Sequence, residues 1–189
     1  MATTERWPPV YDAEQLKEQI AGLGREGNLA DAFYGPTNSG GAICQGDLLQ
    51  LTAPLPFIDE DAEAAVENVH THWLVIGNTC DFVRDDSEVR WSQIVPVVVV
   101  PDEAIRAEAF QAVRLFGTSR KFYLPPWDRS HRAPSHGIAD LQSVVCADKR
   151  LLRRTAGRVV ARVSLYGWVL LQSCIVRFLA RDDGRFDDD

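Results

Sequence analysis

The fold is first indicated by the sequence Trp73-Leu-Val-Ile-Gly-Asn-Thr-Cys-Asp81, in which an apolar run stops abruptly in small and polar residues. Four apolar residues containing a β-branched pair predict a buried strand over 73–77. At its carboxyl end Asn78, Cys80 and Asp81 bring together an amide, a thiol and a carboxylate, as catalytic sites on rigid elements do. They also fit a structural turn in which backbone amides hold Asp81. Both interpretations stay open.

Length and composition are typical of one globular domain with appendages. The chain has 189 residues, of which 46% are hydrophobic, enough for a substantial core. No apolar run approaches the ~18 residues that span a bilayer. The first residues contain no hydrophobic signal segment, so we expect a cytoplasmic protein that does not enter membranes.

Metal and cofactor binding have little support in the sequence, although Asp47, Asp81 and Asp140 could converge as a carboxylate cluster for a divalent metal. The four cysteines lie far apart without Cys-x-x-Cys spacing, which argues against zinc and for buried reduced thiols. There is no Walker loop, no Gly-x-Gly-x-x-Gly and no His-Glu-x-x-His, so nucleotide-dependent and zinc-protease functions are not indicated. We expect no cofactor and no metal site.

The net charge of −7 hides an asymmetry between two parts of the chain. Residues 59–88 carry nine acidic side chains and one basic side chain, whereas residues 120–162, the basic half, carry ten of the twenty Lys and Arg. A basic half can bind a phosphate backbone despite an acidic total; a solvated charged surface is the alternative. The candidate nucleic-acid-binding residues are Lys121, Arg150, Arg153 and Arg154.

Short apolar stretches bounded by turn residues alternate with helical patterns along the chain. Asp12 caps a predicted helix over 13–23, Pro54 and Pro56 end a first strand, Pro96 implies an edge or a bulge, and Asp102 caps a middle helix. The predicted elements are a helix over 13–23, a loop over 35–41, a strand over 46–51, a short helix or surface loop over 59–68, strands over 73–77 and 92–100, a helix over 102–115, a strand over 121–124, an exposed irregular segment over 127–136, strands over 137–146 and 158–163, and a buried helix over 165–180.

These elements alternate too irregularly for a doubly wound sheet. They predict an α+β, mainly β fold in which a bent antiparallel barrel or sheet carries added helices. The domain organisation that follows is an N-terminal helix and loop extension over 1–45, one barrel domain with an inserted helix over 46–181, and an acidic tail over 182–189.

The order of the strands resembles that of the MazF/PemK toxin family. Gly46-Asp-Leu-Leu-Gln-Leu51, the strand from Trp73, a Val-Pro strand over 94–98, the stretch 137–144 and a C-terminal helix follow one another as in that family. The motifs are short, and it is their order that carries the resemblance. The resemblance implies an SH3-like barrel and a place in a bacterial toxin–antitoxin or defence system.

Members of that family are sequence-specific endoribonucleases, but this chain departs from their catalytic pattern. Thr71 and His72 stand where the family has its arginine, and Val97 and Val98 stand where it has its threonine. RNA cleavage needs a base for the 2′-hydroxyl and a cation for the phosphorane. His70 or His72 is the candidate base, and Arg120 or Lys121 is the candidate cation.

We therefore expect a catalytically silent barrel that acts as a protein-interaction or regulatory subunit, with a protein partner or as a homodimer. The alternative is an endoribonuclease-like or nucleic-acid-binding protein that uses the basic half. If the chain is catalytic, the candidate catalytic residues are Asn78, Cys80, Asp81, His72 and Arg120.

Overall fold

A computed structural model describes residues 18, 32–37, 42–58, 61, 63–128, 135–154 and 158–180 of the chain. Its centre is an antiparallel sheet of eight strands in the order β1-β8-β2-β3-β4-β6-β5, with β7 also paired to β4. The strands are β1 (Tyr34–Gly35), β2 (Asp47–Ile58), β3 (Ala64–Val75), β4 (Trp91–Pro101), β5 (Lys121–Leu124), β6 (Ser135–Asp140), β7 (Val145–Asp148) and β8 (Val159–Val163).

Helices accompany the sheet, and among those in the described residues the last is the only long one. They are α1 (Thr79–Val83), α2 (Asp102–Ile105), a 3-10 turn (Glu108–Phe110), α3 (Gln111–Arg114), α4 (Lys149–Arg154) and α5 (Leu165–Leu179). The predicted α+β, mainly β class with antiparallel strands is confirmed. No helix in the described part of the chain is long and apolar enough to cross a membrane.

The hydrogen-bonded ladder is open, with β1 and β5 at its ends. Side chains nevertheless connect these ends: the Tyr34 hydroxyl donates to the Pro125 carbonyl at 2.6 Å. The Phe33 ring centroid lies 5.9 Å from that of Phe122. The sheet therefore curves until its first and last strands approach each other.

The central strands alternate between two apolar clusters on opposite faces of the sheet. Because side chains alternate along a strand, Leu74 enters the first core while Trp73 and Val75 enter the second. Helix α5 covers the first core with Leu170, Leu171 and Cys174. Helices α1 and α4 cover the second core with Phe82 and Leu152.

Strands β2 and β3 are much longer than the sequence predicted. Pro54 and Pro56 do not end β2, and the segment 59–68 is neither a helix nor only a loop, since β3 begins at Ala64. β8 pairs with β2 only as far as Leu49, so the missing proline N–H groups interrupt no ladder on that side. β4 pairs with β3 only from His72 onward. Residues 50–58 and 64–71 thus form a two-stranded arm.

Pro96 occupies a central strand, so the edge alternative is wrong. On one side β4 pairs with β3; on the other it pairs with β7 over 91–94 and with β6 over 97–101. Pro96 lies where β6 gives way to β7, and its missing N–H falls at that break. β6 ends at Asp140, whose carboxylate accepts a hydrogen bond from the Gln142 amide at 3.0 Å and stabilises the turn between β6 and β7. The predicted single strand over 137–146 is therefore two strands.

The predicted middle helix over 102–115 is wrong as a continuous element, because Ala107 adopts ψ 148° and divides it. Asp102 does not cap it either: the N-cap is Pro101. The predicted strands over 121–124 and 158–163 and the buried helix over 165–180 correspond to β5, β8 and α5. The predicted helix over 13–23 and the tail over 182–189 lie outside the described residues, apart from residue 18, as do residues 38–41 and 129–134 of the predicted loops.

A buried ion pair joins β2 to β8. The Arg162 guanidinium donates to both Asp47 carboxylate oxygens at 2.6 and 2.8 Å, and Asp47 has no exposed surface. The Cys44 amide donates to the same carboxylate at 2.8 Å, and Arg162 also reaches the Ala42 carbonyl. The pair therefore holds the entry of β2 against the last strand.

Replacing Arg162 by Met should lower the free energy of unfolding by about 3–5 kcal/mol, because it leaves the Asp47 carboxylate buried without its cation. Urea denaturation measures this change. Arg150→Met is the matched control, since the Arg150–Asp148 pair is half-exposed and such pairs contribute about 0–1 kcal/mol. Equal losses for the two variants would contradict the prediction.

Candidate functional site

A cleft continues the first-core face of the sheet into solvent. Gln50 and His72 lie two residues beyond the first-core residues Leu48 and Leu74, so alternation places them on that face, and Val99 of β4 lies beside them. Together with Trp127, Asp128, Ser135 and Val160 they line a cleft of about 770 Å³.

The cleft exists because β3 and β4 separate. Their last paired residues are His72 and Val97; beyond them β3 continues into the arm while β4 continues alongside β6. Trp127, which follows β5, fills part of the gap, and its ring centroid lies 5.5 Å from that of His72. A residue from a distant part of the chain thus forms one wall.

His72 is a titratable residue of the cleft whose pKa is changed by burial. Partial burial lowers the pKa of its imidazole, which favours the neutral ring at neutral pH. The Thr71 hydroxyl lies 3.0 Å from Nδ1. A neutral imidazole, an amide at Gln50 and the face of Trp127 can bind a flat, partly polar group. Among the described residues no cluster of His, Cys, Asp and Glu is suited to a metal ion.

We expect His72→Gln to reduce the loss of stability at mildly acidic pH. The folded pKa of His72 is lowered, so below pH about 6.5 the unfolded chain binds the proton more readily and unfolding becomes easier. Melting temperatures at pH 7.5 and 5.5 measure the effect; the difference between them should be smaller in the variant. A variant with the full acid-side loss would refute this assignment.

The motif at 78–81 is the start of α1, on the second-core side of the sheet. The Asn78 carboxamide oxygen accepts from the Cys80 amide at 3.0 Å and caps the helix. Asp81 is only half-buried, and its carboxylate lies 3.9 Å from the Arg84 guanidinium. The capping acceptor is therefore Asn78, and the expectation that backbone amides hold the Asp81 carboxylate is corrected. Cys80 is exposed.

Asn78→Ala should cost about 1 kcal/mol of unfolding free energy, as loss of an N-cap does. Asp81→Ala should change it by less than about 0.5 kcal/mol, because its contact with Arg84 is solvent-exposed. Urea titrations of the two variants test the assignment directly. If Asp81→Ala lowered the free energy of unfolding more than Asn78→Ala does, Asp81 would be the residue that stabilises this turn.

Arg120 and Lys121 lie away from His72. Arg120 directly precedes β5 and Lys121 begins it, whereas Trp127, which lies beside His72, follows it. At ~3.3 Å per residue, the four residues of β5 place about 13 Å between its two ends. Lys121 lies opposite Asp140 across β5 and β6. Among the described residues no contact joins Arg120, His72 and the 78–81 motif, so the predicted base and cation do not meet.

Helix α4 uses its cations to hold α1. Lys149 is completely buried, and its Nζ donates to the carbonyls of Asp81 at 2.7 Å and Arg84 at 3.0 Å. Arg153 donates to the Phe82 carbonyl and to the Asp86 carboxylate, both at 2.8 Å. These cations occupy the C-terminal carbonyls of α1, where a positive charge is stabilising.

The two other predicted nucleic-acid-binding arginines of α4 are exposed. Arg150 forms two hydrogen bonds to the Asp148 carboxylate, at 3.0 and 2.7 Å, and these bonds lower the pKa of Asp148. Arg154 lies on the exposed side of α4. Of the four predicted nucleic-acid-binding residues, two therefore bind the chain's own acidic groups.

A buried polar network links β5, β6 and α2. The Tyr123 hydroxyl lies 2.7 Å from His136 Nδ1, and His136 Nε2 lies 3.0 Å from the Asp102 carboxylate, which also accepts from Arg106 at 2.8 Å. Burial raises the pKa of Tyr123 to about 12. Hydrogen bonds from His136 and Arg106 lower the pKa of Asp102. With Tyr123 and His136 buried, the network positions α2 rather than presenting a reactive group.

The arm carries an exposed apolar patch. Pro54 and Pro56, two apart on β2, share a face, and their cross-strand partners are Val69 and Val66. An extra residue in β3 at this point keeps both valines on that face. The valines are 63% and 58% exposed. These four residues, the patch, face away from the second core, which the alternating Leu51, Ala53 and Leu55 contact.

Sequence reasoning named His72 but missed the other cleft residues and the patch. Because side chains alternate along a strand, the sequence could have placed Gln50 on the same face as Leu48 and so in the cleft. No feature of the neighbouring sequence indicates that Trp127 lies there as well. Comparison with protein-family models, curated proteins and solved structures found no match to this chain.

Proposed function

We propose that this protein is a catalytically silent, SH3-like barrel of the MazF/PemK kind that binds another protein, as a regulatory subunit of a bacterial toxin–antitoxin or defence system. The observation that carries the proposal is the arm. Its face away from the second core exposes Val66 and Val69, and exposed apolar clusters mark interaction surfaces. The curved antiparallel sheet with α5 packed on it agrees with the barrel class.

The internal use of basic side chains argues against a nucleic-acid-binding role. Among the described cations of the basic half, four bind the chain's own acidic or carbonyl groups: Lys149, Arg150, Arg153 and Arg162. A cation already paired to a carboxylate releases fewer counterions from a phosphate backbone. The separation of His72 from Arg120 likewise supports a silent site.

A binding assay and a cleavage assay test this proposal. We expect single-stranded RNA to stay intact and to be retained only at background in gel shifts at about 50 and 200 mM salt. Salt-sensitive retention that falls in Lys121→Glu/Arg154→Glu would contradict it. These two exposed positions are chosen because reversing Arg153 would also release α1.

Affinity purification tests directly for the expected protein partner. The tagged chain and its Val66→Ser/Val69→Ser variant are purified from the cells that produce the protein. We expect a defined protein to accompany the wild type in fixed stoichiometry and to be lost with the variant. Recovery of the same protein with both chains would remove the arm from the proposal.

A second candidate function rests on the cleft, where the neutral imidazole of His72 lies beside Trp127. An aromatic face can stack an unpaired base, and a neutral imidazole can accept the proton of a 2′-hydroxyl. If the chain is an endoribonuclease, His72→Gln should abolish RNA cleavage while leaving the circular dichroism spectrum unchanged. Cleavage that survives this substitution would exclude the cleft as its site.

A further inference from the structure

The floor of the cleft presents two hydrogen-bonding side chains next to each other. Gln50 of β2 and His72 of β3 are directly opposite in the ladder, where Cβ atoms lie about 4.5–5.5 Å apart. Gln50 is exposed to the cleft, and its carboxamide carries both donors and an acceptor. The Thr71 hydroxyl lies 3.0 Å from Nδ1 of His72, so Nε2 is the ring nitrogen that can meet a ligand.

The walls of the cleft are mainly apolar. Trp127 contributes an aromatic ring that is held against His72 and packs against the first core. Val99 and Val160 add aliphatic surface. Aromatic side chains stack on flat heteroaromatic rings such as nucleobases. A flat ring stacked on Trp127 would therefore lie in the same cleft as the polar groups of the floor.

The described groups that can meet a ligand in the cleft are uncharged. Burial lowers the pKa of the His72 imidazole and so favours its neutral form, and Ser135 adds a hydroxyl. The carboxylate in the lining, that of Asp128, has an interaction of its own. The volume of about 770 Å³ lies in the range of about 300–1,000 Å³ that small-molecule sites occupy. This lining suits a flat, uncharged molecule with a polar edge.

We infer that the cleft binds a free, uncharged molecule with a purine-like ring, a nucleoside or its base, stacked on Trp127 and hydrogen-bonded by Gln50 and His72. A glutamine carboxamide pairs with an amino group and the ring nitrogen beside it, as it does with N6 and N7 of adenine. The inference goes beyond the proposed protein-binding function, because it concerns the cleft and makes no use of the patch.

Isothermal titration calorimetry of the full-length protein with adenosine tests the inference. The matched ligands are ribose, which lacks the ring, and N6,N6-dimethyladenosine, which keeps the ring but has no N6 donor. We expect adenosine to bind and ribose to give no heat of binding. The dimethyl analogue should bind about tenfold more weakly than adenosine, because it loses a hydrogen bond to the Gln50 carboxamide.

Paired variants locate the binding site. Gln50→Leu should weaken adenosine binding about tenfold and should weaken the dimethyl analogue less, because the two changes remove a shared hydrogen bond. The matched control is Gln142→Leu, which should leave binding unchanged. Gln142 is exposed and lies in the turn after β6, at the opposite end of that strand from Ser135. Equal melting temperatures of these two variants and the wild type establish that the fold is intact.

Two substitutions of Trp127 test the stacking. Trp127→Ala should weaken adenosine binding at least about tenfold, as loss of a stacked aromatic side chain does. Trp127→Phe should retain most of the binding, because it keeps an aromatic face. Equal weakening by both variants would contradict the stacked arrangement.

A base within RNA has the same chemistry as the free molecule, so an RNA oligonucleotide of four adenosines distinguishes the two sources. We expect adenosine to bind more tightly than this oligonucleotide. Three results would overturn the inference: no binding of adenosine, unchanged binding by Gln50→Leu and Trp127→Ala, or tighter binding of the oligonucleotide, which would favour the endoribonuclease candidate. The protein-binding proposal is tested separately, by purification of the wild type and the Val66→Ser/Val69→Ser variant.

Discussion

Burial of both faces of the central strands is the constraint on which the structure depends. Leu48 and Leu49, and then Trp73, Leu74 and Val75, point alternately into two cores. A sheet buried on both faces must be covered twice, by α5 on one side and by α1 and α4 on the other. Every other element lies where it can complete one of these covers or close the sheet between Tyr34 and Pro125.

Charge in this protein is largely structural. Arg162 and Asp47 join β2 to β8, and Lys149 and Arg153 hold the short helix α1 by its terminal carbonyls. A helix of five residues has little stability alone, so its place over the second core depends on these bonds and on Phe82. The cations that suggest a phosphate-binding surface in the sequence are needed inside the fold.

Within the described residues, the cleft and the arm begin at the same place in the sheet. Where β3 and β4 separate after the His72–Val97 pair, the cleft opens between them and the arm extends from it. The cleft and the arm therefore have one geometric origin, the divergence of two strands that are buried together elsewhere. Features open to a ligand or a partner arise where the double coverage of the sheet ends.

Elements whose signal is local could be predicted from the amino-acid sequence. The β-branched run of β4, the short strand β5 and the apolar helix α5 were predicted because composition and periodicity are properties of neighbouring residues. The other features depend on contacts between distant parts of the chain. β2 continues through Pro54 and Pro56 because no strand pairs with that edge, and Lys149 turns inward because α1 offers it carbonyls. His72 meets Trp127 because two strands diverge; pairing brings together residues far apart in the chain, which local patterns do not encode.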